Sequence, residues 1–568
     1  MCNAIPAARP ARRRGARALV AGLTAAGLLL TACGSDEPGG EEGGNDEPTA
    51  ADFEGHDTGA MADYGIGTTF KATEPVEFSL FYRDHPNYPL QDDWLILEAL
   101  EENQNVSFDI VSAPLSDWDQ RKATVIGAGT DVPEIISVTY PGQEVSFIAG
   151  GAILPVSDYL EYLPNFTDKM EKWGLTEVID NRLRQEDGKF YLLPGLRETI
   201  RAQYTYTVRA DIWEELGLTL EPETFEEFAE QLRTVKEAYP DAWPLSDRWS
   251  ANGPLEATLN FAAPSFGTHA GWGYGEGVTW DPEAEEYVYT GATDEYKALV
   301  EYYAGLVADG LMDPESLIQD DDQAIQKFGS GQSMAIAGND QEVLRYRTTF
   351  EELGTDAEVA MIRVPAGPAG DLYAAGTRIQ SGLMISADAA ESDHFLTLLQ
   401  FIDWLYYSDE GLEFSKWGIE GETYTKAEDG TRTLAEDIDI NGLNEGAPKV
   451  LNVDFGFHNG VWMLEHGSTT ELDLSMLRPE VVDFVESMST KEEMPLPPAA
   501  PLTELEREQA SLWQTALRDH VWQNTSQFIL GQRPMSEWDA YVAELEGMSL
   551  QQYVDMFNEA QKRFAGEG

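Results

Sequence analysis

The sequence predicts an α/β fold in which mostly parallel sheets are covered by helices. Three observations carry that expectation. Near the start of the folded body, stretches of period two alternate with stretches of helical period, in the order strand, helix, strand, helix, strand. The pattern recurs further along the chain. Hydrophobic residues are 42% and aromatics 11% of 568 residues, ample for a large buried core.

The elements follow in order. Val76, Phe78, Leu80 and Tyr82 alternate with Glu77, Ser79 and Phe81, which reads as a strand. Pro86, Asn87 and Pro89 break it, and Asp92 and Asp93 open a helix that carries Trp94, Leu97 and Leu100 on one face. Val106, Phe108 and Ile110 alternate again. A helix over residues 118–126 follows, and then a buried strand over 132–138. At the far end, Ser536 and Asp539 form an S-x-x-D capping-box pattern, and Trp538, Tyr541, Val542 and Leu545 line one face of the helix it would open. Ser549 is placed to cap a last helix with Leu550, Tyr553, Val554 and Phe557 on its inner face.

The first 32 residues read as an export signal rather than as part of the fold. Arg9, Arg12, Arg13, Arg14 and Arg17 precede an apolar stretch, 18–32, too short to span a bilayer stably. It ends in Leu30-Thr31-Ala32-Cys33-Gly34-Ser35, which is similar to a bacterial lipobox, with cleavage before Cys33 and acylation of its thiol. The other cysteine, Cys2, leaves with the signal, so no disulfide framework or cysteine zinc site is expected. Residues 34–70 contain no Lys or Arg and are rich in Gly, Pro and acids, and 33–73 is read as a flexible tether.

The chain carries 37 basic and 101 acidic residues, a formal charge of −64 that becomes −69 once the five signal arginines are removed. That excludes nucleic acid as a partner, because phosphate recognition needs a basic face. No G-x-S-x-G, H-E-x-x-H, Walker A or G-x-G-x-x-G motif is present, and the seven histidines lack ligand spacing. No catalytic residue and no cofactor is expected. One stretch, Asp437-Ile438-Asp439-Ile440-Asn441-Gly442, matches the first six positions of a calcium loop. Pro448 stands where the bidentate Glu belongs, so a structural Ca²⁺ is the weaker reading.

An ordered set of segments carries a family likeness. These are DGKFYLLP (187–194), YTVRADIWEELGL (206–218), ETFEEF (223–228), FGSGQSMA (328–335), SGLMIS (381–386), SDEG (408–411), WGIEGETY (417–424), ILG (529–531) and WDAY (538–541). Together they resemble the family 1 extracellular solute-binding proteins of carbohydrate ABC importers, above all the lipoprotein branch that includes oligosaccharide- and alginate-binding members. The likeness covers about residues 74–564. It implies a two-lobed periplasmic-binding-protein-like fold, each lobe a mixed, mostly parallel sheet flanked by helices. By that analogy lobe 1 is 74–201 plus 373–425 and lobe 2 is 202–372 plus 426–568, with a loop-rich insertion at 427–459. It also implies a chain that is not an enzyme, held at the outer face of the cell membrane through Cys33, monomeric, with a carbohydrate ligand and membrane permease subunits as partners.

A sugar presents an apolar C–H face and a belt of hydroxyls, so its site needs aromatic rings beside planar polar groups. Trp272 and Tyr274 lie in the glycine-flanked run GWGYG, where no regular element offers a packing face. Further candidates lie where strands end: Tyr82, Arg83 and Asp84; Tyr140; Arg197, Glu198 and Arg201; Asn339 and Asp340; and Arg378 at a strand start. Trp249 is placed by the resemblance, as are Trp417, Glu420 and Tyr424 in its signature. For Glu420 a structural turn set by Gly418 and Gly421 is the competing reading. The alternatives in function are a secreted lipoprotein glycoside hydrolase, or a receptor for a peptide or for an acidic glycan held by Arg83, Arg197, Arg201 and Arg378.

Overall fold

The computed structural model describes residues 53–250, 253–374, 378–460 and 467–566. The expected export signal, Cys33 and the first part of the acidic segment lie outside the described residues. Nine strands build the two main sheets: β1 (Val76–Asp84), β2 (Val106–Pro114), β3 (Ile135–Thr139), β4 (Leu193–Arg197), β5 (Thr205–Arg209), β6 (Ala335–Gly338), β7 (Val359–Met361), β8 (Ile379–Ile385) and β9 (Gly467–Ser468). The helices that matter for the site are α1 (Leu95–Gln104), α2 (Trp118–Gly127), α3 (Thr176–Leu183), α4 (Glu256–Ala262), α5 (Asp340–Leu353), α6 (Phe395–Tyr407), α7 (Thr470–Ser475) and α8 (Glu504–Ile529).

The first sheet has the order β9-β4-β8-β3-β1-β2. β1 pairs in parallel with β2 and β3, as the strand–helix–strand order requires, while β8 runs antiparallel to β3 and β4. The second sheet is β6-β5-β7. Here β5 is antiparallel to both neighbours, not parallel as expected for this lobe. Strand direction is set by where the chain re-enters the sheet, and β6 runs back toward the start of β5, with Thr205 opposite Gly338.

Each sheet has its own hydrophobic core, which makes the molecule two-lobed. One core holds Phe78, Leu80, Trp94, Leu193, Leu399, Trp404 and Trp417, all buried. The other holds Tyr206, Trp213, Phe228, Tyr303, Ile336 and Tyr346. At about 25 cal/mol per Å² of apolar surface removed from water, these cores are the main stabilising term in each lobe.

The packing departs from the expected segment boundaries in three places. Residues from Phe53 onward are folded, not tether. Phe53 stacks on Phe395 of α6 (5.7 Å between ring centroids), Phe70 meets Trp404, and the Tyr64 hydroxyl donates to Asp403 at 2.8 Å. These aromatics supply apolar surface that the Gly- and acid-rich run before them lacks. Second, Leu434, Ile438, Leu451, Phe457, Leu472 and Met476 pack in the first core, and the second resumes at Leu477. The insertion covers the start of α1: the Trp94 indole donates to the Val453 carbonyl, and Gly456 lies flat against the Trp94 ring. Third, Tyr373 still belongs to the second core.

The closing helices bury the predicted faces, Trp538, Tyr541 and Leu545, then Tyr553, Val554 and Phe557. Neither expected serine caps its helix: the residue before Trp538 is Glu537, and Ser549 sits at φ +68° with no side-chain capping bond.

Candidate functional site

A cavity of about 230 Å³ lies between the two cores, with walls from both. Its second-lobe wall follows from the antiparallel pairing of β5 and β6. With Thr205 opposite Gly338, the residues just before β5, Gln203 and Tyr204, fall beside those just after β6, Asn339 and Asp340. The first-lobe wall follows the same logic. Gly382 of β8 faces Thr139 of β3, which brings Gln380 and Tyr140 to one edge. Asn441 and His458, both from the insertion, complete it.

One rim is aromatic. The Tyr204, Trp249 and Trp272 rings form a mutual cluster: centroids are 5.7 Å apart for Tyr204–Trp249, 5.1 Å for Tyr204–Trp272 and 5.5 Å for Trp249–Trp272. Trp272 is 43% exposed, and Tyr140 on the cavity wall is 45% exposed. The indole of Trp272 stands out because the chain beside it cannot move in. A Cβ on Gly271 (φ +56°) would meet the Glu256 carbonyl of α4 at 1.9 Å, so only glycine lets the loop press onto that helix. Trp249 is held by Arg248, whose guanidinium lies 4.2 Å from the ring centroid and bonds Asp321 and Glu342. Its backbone has φ +60°, an uncommon strain for a bulky residue.

The polar side is anchored by Arg201. Its guanidinium pairs with Asp340 at 2.8 Å and with Asp473 of α7 at 3.1 Å. Asp340 opens α5, where the Asn339 side chain caps the Glu342 amide at 2.9 Å. Burial opposes ionisation of Asp473, but the cations Arg201, Arg197 and Lys416 win and hold its carboxyl below the usual range. Burial, helped by Lys416 and Arg201, depresses His458 to about 3, so its ring is neutral and accepts a hydrogen bond from Asn441 at 3.1 Å.

Of the sequence candidates, Tyr140, Arg201, Asn339 and Asp340 meet at this cavity, and Trp249 and Trp272 at its aromatic rim. The others do not join them. Tyr82 is buried with its hydroxyl on Asn459, and Asp84 accepts the Leu90 amide, while Arg83 sits next to them at the end of β1. Arg197 is buried in β4, and the Glu198 carboxylate caps the Thr470 amide at the start of α7. Arg378 binds main-chain carbonyls of Trp173, Arg197 and Glu198. The arginines at 83, 197, 201 and 378 therefore form no common positive pocket.

Trp417 is 2% exposed, its indole on Ser475 and its ring against Tyr424. Glu420 is exposed on the turn that Gly418 (φ +87°) and Gly421 (φ +86°) make. Tyr274 is buried among Tyr289 and Tyr296 and lines a different cavity.

Gln203, Tyr204, Gln380 and His458 are not among the sequence candidates, and Asn441 is there only as part of the calcium-like run. Three of them, Gln203, Tyr204 and Gln380, stand at strand starts, whereas most of the sequence candidates lie at strand ends. Strand starts reach the cleft only because β5 and β8 run antiparallel to their neighbours.

Two further cavities, of about 500 and 410 Å³, share Asn181, Arg182, Glu276, Ala500 and Phe557 and also have walls from both lobes. Tyr204, which lines the first cavity, packs against the Trp272 ring, and Gly273, next to Trp272 in the chain, lines the larger of these two.

The calcium-like loop does not form a cage for the ion. Asp437 pairs with Lys449 at 2.9 Å, Asp439 accepts the Asn444 amide, and Asn441 turns to His458 and the Met476 carbonyl. Ile438 and Ile440 are buried, so the intervening side chains point into the core and each oxygen donor faces a different partner.

Comparison with known proteins agrees with this architecture. The fructooligosaccharide ABC transporter substrate-binding protein FusA of Streptococcus pneumoniae is 22% identical over 94% of this chain and 95% of its own length. An extracellular solute-binding protein from Bifidobacterium longum subsp. infantis superposes with a TM-score of 0.64 at 17% identity, covering 87% of this chain and 99% of that one. The S. pneumoniae FusA structure in complex with kestose superposes with a TM-score of 0.59 at 17% identity, covering 87% and 100%. The family model of the bacterial extracellular solute-binding proteins matches residues 89–411, more than half of the chain, and the chain belongs to that family.

Proposed function

We propose that this protein is the lipid-anchored, extracytoplasmic receptor of an ABC importer, capturing an oligosaccharide between its two lobes and handing it to a membrane permease. One observation carries the reading most: an exposed indole, Trp272, in an aromatic cluster beside a cavity lined by planar polar groups from both lobes. Aromatic rings match the C–H face of a sugar, and Asn, Gln and Asp match its hydroxyls. The similarity to FusA, a fructooligosaccharide-binding protein, supports a carbohydrate ligand. The lipobox-like run ending at Cys33 supports attachment to the membrane.

Within the smaller cavity the same geometry favours binding over catalysis. Glycoside hydrolysis needs one carboxyl kept protonated as an acid. Asp473 is held below the ordinary range by its cationic neighbours, and Asp340 is tied to Arg201. Capture works instead by preferential binding of the closed arrangement of the lobes, with the monomer sufficient for the site.

The test is a titration of the purified protein, read by tryptophan fluorescence and thermal shift, against fructooligosaccharides, other glycans and short peptides. Saturable quenching with a concentration-dependent rise in melting temperature for a glycan is expected. Shifts with peptides alone overturn the carbohydrate reading. Release of reducing ends on incubation overturns the binding-only reading.

A further inference from the structure

Tyr140 reaches the cavity wall at the end of a kinked strand. Gly382 of β8 faces Thr139 of β3, and Met384 faces Ile136, so two residues of β3, Ser137 and Val138, lie opposite the single Leu383. This is a β-bulge, and a bulge re-aims the residues that follow it. The left-handed position in such a bulge usually falls to glycine. Here Val138 takes it, buried, β-branched and at φ +46°. A branched residue keeps that conformation only where its surroundings impose it.

What imposes it is a buried lysine. Lys122 rises from α2 with its side chain 4% exposed, its ammonium 5.6 Å from the centroid of the Trp118 ring. It donates to the Gln143 side-chain oxygen at 3.0 Å and to the Val138 carbonyl at 3.5 Å. The same Gln143 oxygen accepts the Tyr140 amide at 3.2 Å, and the Gln143 amide donates to the Tyr140 carbonyl at 3.0 Å. Both main-chain groups of Tyr140 are thus tied to one residue that Lys122 holds. An ammonium is costly to bury, and desolvation pushes the Lys122 pKa down to about 8. Asp119 stands 3.9 Å away and is largely exposed, and the Glu144 carboxylate accepts the Gly142 amide inside the same turn. The hydrogen bonds of the buried cation therefore go to the turn that presents Tyr140.

Resting on the carbohydrate reading above, we infer that Lys122 is a positioning residue of the ligand site, acting through Gln143 and the Val138 bulge to present the Tyr140 ring to the bound glycan. Lys122 is too deeply buried to reach the ligand itself. Its contribution is to fix the turn beforehand, so that a ring 45% exposed at the cavity edge loses less freedom when the ligand arrives.

The experiment is a double-mutant cycle, read by calorimetry with the fructooligosaccharide or other glycan that binds the unaltered protein, with melting temperatures recorded alongside. Lys122→Met and Gln143→Ala each weaken binding about fivefold, the loss expected for Tyr140→Ala. In the Tyr140→Ala background neither has a further effect. Gln143→Glu, which keeps an oxygen acceptor, recovers most of the loss seen in Gln143→Ala. Gln143 is exposed, so its variants carry the test even where Lys122→Met fails to fold. A loss that persists undiminished in the Tyr140→Ala background is general loosening and overturns the inference. Unchanged affinity in Gln143→Ala, or in Tyr140→Ala, overturns it too and leaves the carbohydrate reading standing. No binding of any glycan by the unaltered protein overturns both.

Discussion

Two segments of this chain look alike in composition and end in opposite places. Residues 271–275 read GWGYG, and 417–424 read WGIEGETY, each a Trp and a Tyr among glycines. In the first, Gly271 presses the chain onto α4 and leaves Trp272 43% exposed at the cleft. In the second, Gly418 folds over Thr423, whose hydroxyl bonds the Trp417 carbonyl, and Trp417 is 2% exposed. The lesson is that glycine next to an aromatic says only that backbones come close. Whether the ring is pushed out or drawn in depends on what the backbone approaches: a helix in one case, its own turn in the other.

The comparison breaks most readily at Trp417. Trp417→Ala leaves a large cavity in the first core and is expected to cost about 3–5 kcal/mol of stability, measured by denaturant unfolding, with ligand contacts untouched. A loss under 1 kcal/mol contradicts a packing role. Trp272→Ala is the opposite case. Stability changes little, while affinity for the glycan that binds drops by about 2 kcal/mol, roughly thirtyfold, the size of an aromatic hot spot. An unchanged Kd in calorimetry removes Trp272 from the ligand site.

His458 links the two regions: its ring stands on the cavity wall, while its amide donates to the Ser415 carbonyl just before Trp417. The folded pKa of about 3 lies below the ordinary value near 6.5, so the unfolded state binds more protons between them. This contribution to stability is therefore complete above about 6.5 and lost as pH falls toward 3. Its slope is up to about 1.4 kcal/mol per pH unit. His458→Gln is expected to flatten that slope in urea melts run from pH 7 to 4, and an unaltered slope would show that other groups set it. The smallest effect is at Tyr140, an exposed ring at the cavity edge. Tyr140→Ala is expected to weaken glycan binding by about 1 kcal/mol, about fivefold, with no change in melting temperature.

Much of the fold was legible because its signal is local. The alternation from Val76 to Tyr82 and the helical spacing after Asp93 reflect side chains sorted between water and core, and β1 and α1 stand where these patterns place them. The site was legible in part. Tyr140, Asn339 and Asp340 follow strands and reach the cavity, and Trp272 stands out beside its glycines. Arg378 misled because it also flanks a strand, yet its donors meet main-chain carbonyls. Tyr274, two residues from Trp272, misled because Gly271–Tyr274 folds as a 3-10 turn, in which residues two apart point about 240° apart around the axis.

By itself the sequence determined the α/β class and the run of glycines beside Trp272. These depend on composition and on neighbours a few residues apart. Only the tertiary structure decided the rest. It made the second sheet antiparallel, so that strand starts carry Gln203 and Tyr204 to the cleft. It packed residues 53–73 and the insertion onto the first core and set Arg201 between Asp340 and Asp473. Each of these joins residues far apart in the chain, and such pairings are fixed by how whole sheets bury their faces, which no local pattern encodes.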